Sequence, residues 1–113
     1  MRNMSFAMTT KQYVEGNKDV TRRFGWGFLK PGDRVMGVEK GMGLKKGEKI
    51  NRLGAFTVKS VRREPLNAIT KRDCIREGFP DFTPKQFVDM LCKHYGVKPT
   101  AICNRIEFVR DKK

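Results

Sequence analysis

The longest strand candidate in the sequence is Leu53-Gly54-Ala55-Phe56-Thr57-Val58-Lys59-Ser60-Val61-Arg62-Arg63, and the rest of the fold must pair with it. Phe56, Val58 and Ser60 alternate with Ala55, Thr57, Lys59 and Val61, so a strand here has two distinct faces. Pro65 closes it, since proline has no N–H to give to a ladder. Shorter strands are predicted at Ser5 to Met8, Val20 to Arg23, Arg34 to Glu39 and Asn104 to Val109. In the third of these Val35, Gly37 and Glu39 share a face opposite Met36 and Val38, and in the last Ile106 and Phe108 share one.

Three helices are expected between them. Thr9 or Thr10 caps the first, Lys11 to Glu15, which packs through Tyr13 and Val14 and stops at Gly16. Thr70 caps the second, Lys71 to Arg76, with Asp73 near the positive end of its dipole and Gly78 after its end. The third has the clearest start in the chain, Thr83-Pro84-Lys85-Gln86: a capping threonine, proline at the first helical position and a glutamine that completes a capping box. It runs to about Tyr95 and stops at Gly96, with Phe87, Val88, Leu91, Cys92 and Tyr95 as an apolar stripe. Cys92 is read as a core residue. Five or six short strands, about three helices, glycine-rich turns and no βαβ rhythm predict an α+β chain, a small, mostly antiparallel β-barrel with helices attached. The 113 residues hold one domain, residues 5–110, between a loose leader (1–4) and a frayed tail (111–113).

Charge narrows the partners. Twenty-five basic residues against 12 acidic ones give a net charge of +13, a field that attracts polyanions, and RNA or another nucleic acid is the leading class. No apolar run approaches the roughly 20 residues that span a bilayer, and the first residues lack a signal-peptide pattern, so a cytoplasmic protein without membrane contact is expected. Cys74, Cys92 and Cys103 are odd in number and widely spaced, which argues against a disulfide framework. Cys92-x-His94 with no further clustered ligands is a poor metal site; neither metal nor cofactor is expected. A monomer is expected.

Glu15-Gly16-Asn17-Lys18-Asp19-Val20-Thr21-Arg22-Arg23 concentrates cations and a hydroxyl just after the first helix. Thr21 and Arg23 point the same way on a strand, and Lys18 joins them only if the backbone turns near Asn17 to Asp19. Trp26, between Gly25 and Gly27, reads either as an exposed platform for an unpaired base or as a core residue in a tight bend. Pro31-Gly32 marks a type II turn. Gly41 to Lys49 fits neither the P-loop nor the dinucleotide-binding pattern; it reads as a basic loop, either touching a phosphodiester backbone or solvated.

The pattern Gly16-x-Lys18-x-x-Thr21-x-Arg23 resembles the G-x-K-x-x-x-x-R signature of the ASCH domain family, whose fold is a PUA-like β-barrel. The order of the Ser5 to Met8 strand, a short helix, the signature, Leu29-Lys30-Pro31-Gly32-Asp33-Arg34-Val35 and Arg76-Glu77-Gly78-Phe79 is similar to that family across nearly the whole chain. The resemblance implies binding of RNA, a nucleotide or a nucleobase in a basic cleft. One branch of the family implies an alternative, an amidohydrolase that removes the acetyl group of N4-acetylcytidine-type nucleosides. The implied roles are Lys18 as base, Thr21 as nucleophile and Glu77 as proton shuttle. A threonine needs such a base, and a lysine serves as one only when burial or neighbouring cations lower its pKa; Arg22 and Arg23 act in that direction and Glu77 against it. A third expectation, RNA cleavage, would require a proton shuttle that His94, far from the signature in sequence, supports little.

The binding and hydrolytic readings differ in salt dependence. A polynucleotide binder would use Arg22, Arg23, Trp26, Lys40, Lys45, Lys46, Lys49, Arg52, Arg62 and Arg63, and lose affinity steeply with salt. A free-nucleoside hydrolase needs a closed small pocket and little phosphate contact.

Overall fold

The computed structural model of the chain describes residues 1–40 and 47–111. In chain order the elements are β1 (Arg2–Ser5), α1 (Thr10–Val14), β2 (Val20–Arg23), β3 (Arg34–Val38), β4 (Arg52–Pro65), a 3-10 turn (Leu66–Ala68), α2 (Lys71–Arg76), α3 (Pro84–Tyr95) and β5 (Ile102–Arg110). The five strands form one sheet in the order β1-β3-β4-β5-β2. Pairs β3–β4, β4–β5 and β5–β2 are antiparallel, and β1 alone runs parallel to its neighbour β3. The fold is therefore α+β and mostly antiparallel, as expected. The sheet is a curled half-barrel, with β1 and β2 left as its two edges.

β4 organises the sheet because it is long enough to pair twice. Residues Arg52 to Thr57 pair with β3, and Phe56 to Pro65 pair with β5. Register shifts between Gly37 and Val38 and between Val58 and Ser60 bend the ladder, since an extra residue on one strand increases local twist. The concave side closes over Met4, Phe6, Tyr13, Val35, Phe56 and Phe108, all essentially buried. The Phe6 and Tyr13 rings stack at 4.2 Å, and the Tyr13 hydroxyl donates to the Gly54 carbonyl at 2.7 Å. Tyr13 can lie there only because β3 carries glycine beneath it: a Cβ on Gly37 would sit 2.6 Å from the Tyr13 ring. A second apolar cluster, including Leu66, Cys74, Phe87, Leu91 and Cys103, joins α2 and α3 to the far end of the sheet.

Three local expectations change. The stretch expected as a loose leader supplies β1, with Met4 fully buried, whereas Ala7 and Met8 beyond it are exposed. Phe6 extends the pairing by donating to the Val38 carbonyl at 2.8 Å, and the chain then turns as Thr9 N–H bonds to the Phe6 carbonyl. Cys92 is half-buried and packs beside the second cluster, and Tyr95 is 43% exposed, so the buried stripe of α3 is Phe87, Val88 and Leu91. The helix ends of α3 are as predicted, with the Thr83/Gln86 capping box formed and Gly96 left-handed.

Candidate functional site

The open side of the half-barrel, between β1 and β2, holds a cavity of about 170 Å³. Its walls come from the turn after β1, from the chain entering β2, from the end of α2 and from one side of α3. Lys18, Thr21, Arg22, Arg23 and Glu77 all line it. The residues singled out in the Gly16 to Arg23 stretch thus meet Glu77 despite the separation in sequence.

Local structure explains the convergence. β2 begins only at Val20, so Lys18 precedes the strand and escapes its alternation. The segment is fixed from both sides: Asn17 N–H donates to Gln12 of α1 at 2.9 Å, Asp19 N–H donates to the Arg76 carbonyl at 3.0 Å, and the Asp19 carbonyl accepts from Phe108 N–H at 3.0 Å. Glu77 caps the C-terminal end of α2, and Gly78 follows at φ 96°. A Cβ on Gly78 would lie 2.7 Å from the Gln12 side chain, so glycine lets the end of α2 approach α1 closely and aims Glu77 into the cavity.

The charges in the cavity form a chain of contacts. Lys18 Nζ donates to Glu77 Oε1 at 2.6 Å and to the Glu77 carbonyl at 2.9 Å. Arg22 Nη1 donates to Glu77 Oε2 at 3.0 Å, so lysine and arginine hold the two carboxylate oxygens separately. Arg22 Nη2 reaches Asp73 at 2.5 Å and Glu64 at 2.9 Å, while Arg105 grips Asp73 at 2.7 and 3.1 Å. Arg23 Nε donates to Thr21 Oγ1 at 3.0 Å, and its guanidinium lies over the Phe6 ring. Lys18, Thr21, Arg22 and Glu77 are each at most 5% exposed.

Burial of this degree pulls the Lys18 pKa below its ordinary value. The Glu77 carboxylate opposes that shift, and Arg23 and Arg22 add to it. For Asp73, burial pushes upward, but hydrogen bonds from Arg105 and Arg22 outweigh it and hold the carboxyl far below the usual carboxylate range. Arg22 Nε is buried without a hydrogen-bond partner, one of two such side-chain atoms among the described residues.

Two contributors were not expected from sequence. His94 and Tyr95, at the end of α3, line the same cavity, and their rings meet edge to face at 4.7 Å. His94 was set aside for its distance from the signature, and a helix passing over the open side of the sheet removes that distance. An apolar lining of Phe79, Phe87, Met90 and Leu91 completes the wall.

Other expected binding residues lie elsewhere. Trp26 is half-buried against the main core and lines an adjoining groove rather than this cavity. Arg62 and Arg63 are exposed on a separate hollow, and Lys40, Lys49 and Arg52 are exposed and also away from the cavity. Lys45 and Lys46, with most of the basic loop, lie outside the described residues. Among the described residues no group of three or more His, Cys, Asp and Glu side chains is placed to hold a metal, and no helix is long and apolar enough to cross a membrane.

No protein-family model matches the sequence, and no curated protein matches it. Among solved structures the chain is similar to protein EF3133 from Enterococcus faecalis V583, described with the family model DUF984. That likeness has 14% identity and a TM-score of 0.65, and covers 91% of this chain and 69% of that one. It is also similar to the hypothetical protein PH0355, with 14% identity, a TM-score of 0.66, and coverage of 97% of this chain and 96% of that one. At this identity the structural likeness shows the fold alone.

Proposed function

We propose that the cavity is the active site of an amidohydrolase that removes a small acyl group from the exocyclic amine of a nucleobase, in an N4-acetylcytidine-type nucleoside. One observation carries this reading: Lys18, Thr21 and Glu77 face a single half-open cavity in which burial lowers the lysine pKa. The cavity's apolar lining and few convergent polar groups suit a flat heterocycle with a small substituent.

The steps use these groups. Lys18 acts as base in its neutral form, taking the Thr21 hydroxyl proton as Oγ1 attacks the acyl carbon and forms a tetrahedral oxyanion. The proton passes from Lys18 to Glu77 across their 2.6 Å contact and on to the nitrogen, the C–N bond breaks, and the free amine leaves an acyl-threonine ester. Water attacks the ester, its proton passing to Glu77 and, through Lys18, to the departing Thr21 oxygen, so that collapse releases the carboxylic acid and restores Thr21, Lys18 and Glu77. Arg23 Nε–H, already on Thr21 Oγ1, orients the hydroxyl and stabilises negative charge on it.

A second reading, nucleobase binding without turnover, is favoured by the same short ion pair, because a carboxylate this close also tends to keep Lys18 protonated. Hydrolysis of N4-acetylcytidine, followed by absorbance for the parent, Lys18→Ala and Thr21→Ala, separates the two. Turnover in the parent and its loss in both variants is the expected result. A folded parent that binds the nucleoside without turning it over leaves only the binding reading.

A further inference from the structure

We infer that the groove beside the cavity is a second subsite that holds the nucleotide next to the base in the cavity, so that the molecule recognised is a single-stranded nucleic acid. This rests on the reading that the cavity takes a nucleobase. The groove, of about 400 Å³, is lined by Arg2, Arg23, Phe24, Trp26, Phe28 and Tyr95. Arg23 and Tyr95 also line the cavity, so the two hollows adjoin across these two side chains.

The chemistry of the groove matches one nucleotide unit. Phe28 is 56% exposed and Tyr95 43%, a large aromatic surface left open in so basic a protein. The Trp26 and Phe28 rings lie 5.6 Å apart, and the Phe24 and Tyr95 rings 5.2 Å apart. These rings present π-faces and edges of the kind on which unpaired bases stack. The exposed Arg2 holds its guanidinium 4.6 Å over the Phe28 ring, which sets a cation beside the stacking surface, where a bridging phosphate would lie. An apolar peptide would leave that cation unanswered, whereas a phosphodiester answers it.

The backbone supplies an independent indication. Trp26 has φ 70°, the one non-glycine residue at positive φ among the described residues, although glycines flank it on both sides. A bulky side chain is held in this costly conformation where a glycine was the easy choice, and such residues gather at functional sites.

Trp26 is the chain's only tryptophan, so its emission reports on the groove directly. The test is a titration of the full chain with single-stranded oligocytidylate and, separately, with free cytidine, following tryptophan fluorescence. Oligocytidylate is expected to quench the emission saturably, with an affinity that falls as salt rises, at concentrations where cytidine leaves it unchanged. Phe28→Ala should weaken the oligonucleotide by about tenfold, and Arg2→Glu should weaken it and flatten the salt dependence. Trp26→Gly suits the backbone but removes a ring that also packs on the main core, so its fold is checked first by circular dichroism; its binding, followed by anisotropy of labelled oligocytidylate, should also weaken. Unchanged emission, or quenching untouched by both Phe28→Ala and Arg2→Glu, overturns the inference, even if acetylcytidine is hydrolysed. Quenching with these variant effects but no hydrolysis upholds the subsite and rejects the hydrolase instead.

Discussion

Arg23 Nη2 donates to the carbonyl oxygen of Ser5 at 2.7 Å, joining the two strands that form opposite edges of the sheet. The same guanidinium holds Thr21 Oγ1 through Nε, so one side chain both closes the seam and sets the hydroxyl. A lysine has no rigid fork with which to serve two acceptors in different directions. Arg23→Lys is expected to cost about 1–2 kcal/mol of stability for the lost hydrogen bonds and to reduce acyl-nucleoside turnover by at least about tenfold, the scale of a misplaced reacting group. Urea denaturation and steady-state kinetics on the same preparation check both. A variant with full stability and full turnover would show that the fork is dispensable.

The lowered Lys18 pKa fixes the direction of a pH profile. If Lys18 is the base, turnover rises with pH through an apparent pKa below 10.5, because the neutral amine forms earlier than in an ordinary lysine. Lys18→Arg should remove both the activity and that rising limb, since a guanidinium keeps its proton. A limb that survives in Lys18→Arg would assign the titration to another group.

Arg22 is the shared partner of Glu77, Asp73 and Glu64. Arg22→Met preserves bulk but leaves those carboxylates with one fewer cation in a buried setting. A loss of about 3–5 kcal/mol in the unfolding free energy is expected, the range for removing one partner of a buried pair. Chemical denaturation measures it, and a change below about 0.5 kcal/mol would contradict the buried arrangement.

Asp73 makes a separate statement about acid. Its folded pKa is depressed by the Arg105 and Arg22 hydrogen bonds against the upward push of burial, so it contributes stability that is fully present above the unfolded carboxyl value of about 3.9. That contribution is lost as pH falls further, toward the folded pKa. Denaturation midpoints measured from about pH 6 down to pH 2 should therefore drop more steeply in the parent than in Asp73→Asn. Equal slopes would place the acid sensitivity elsewhere.

Gly37→Ala tests the packing of Tyr13. The added methyl would meet the ring at 2.6 Å, and overpacking of this kind costs about 1–3 kcal/mol. In a Tyr13→Leu background the same substitution should cost less, a coupling that a double-mutant cycle of unfolding free energies reads directly. Additive effects would mean that the ring and the glycine do not meet.

What could be read from the sequence was governed by local chemistry. The start and stop of α3 depend on Thr83, Pro84, Gln86 and Gly96, each acting within a turn of itself, and they were legible. Lys18, Thr21 and Glu77 could be chosen as a set through resemblance, and their convergence required the turn at Asn17 to Asp19 that the structure contains. The position of β1 was not legible. Met4 and Phe6 are buried by a parallel partner, β3, that lies beyond β2 in sequence, and no local pattern reports such a pairing. His94 and Tyr95 were missed as cavity residues for a related reason: periodicity sets His94 on the solvent side of α3 and Tyr95 in its apolar stripe, and neither reading foresees a cavity beside the end of the helix. The basic residues show the limit of composition, since net charge gave their number but not their dispersal over separate faces.

The edges of the half-barrel bear on exchange and access. Within each edge strand the ladder bonds run to an inner neighbour, β3 or β5, and the seam between the edges is spanned by the Arg23 side chain. Separating the edges therefore requires no ladder bond to break, and its free energy is set by a few side-chain contacts rather than by the stability of the sheet. Amide hydrogen exchange around Ser5 to Thr9 should consequently follow the occupancy of the cavity, while the amides at the centre of β4 follow global unfolding. Opening of this seam is in that sense a local event, independent of the ladders that hold β3, β4 and β5 together.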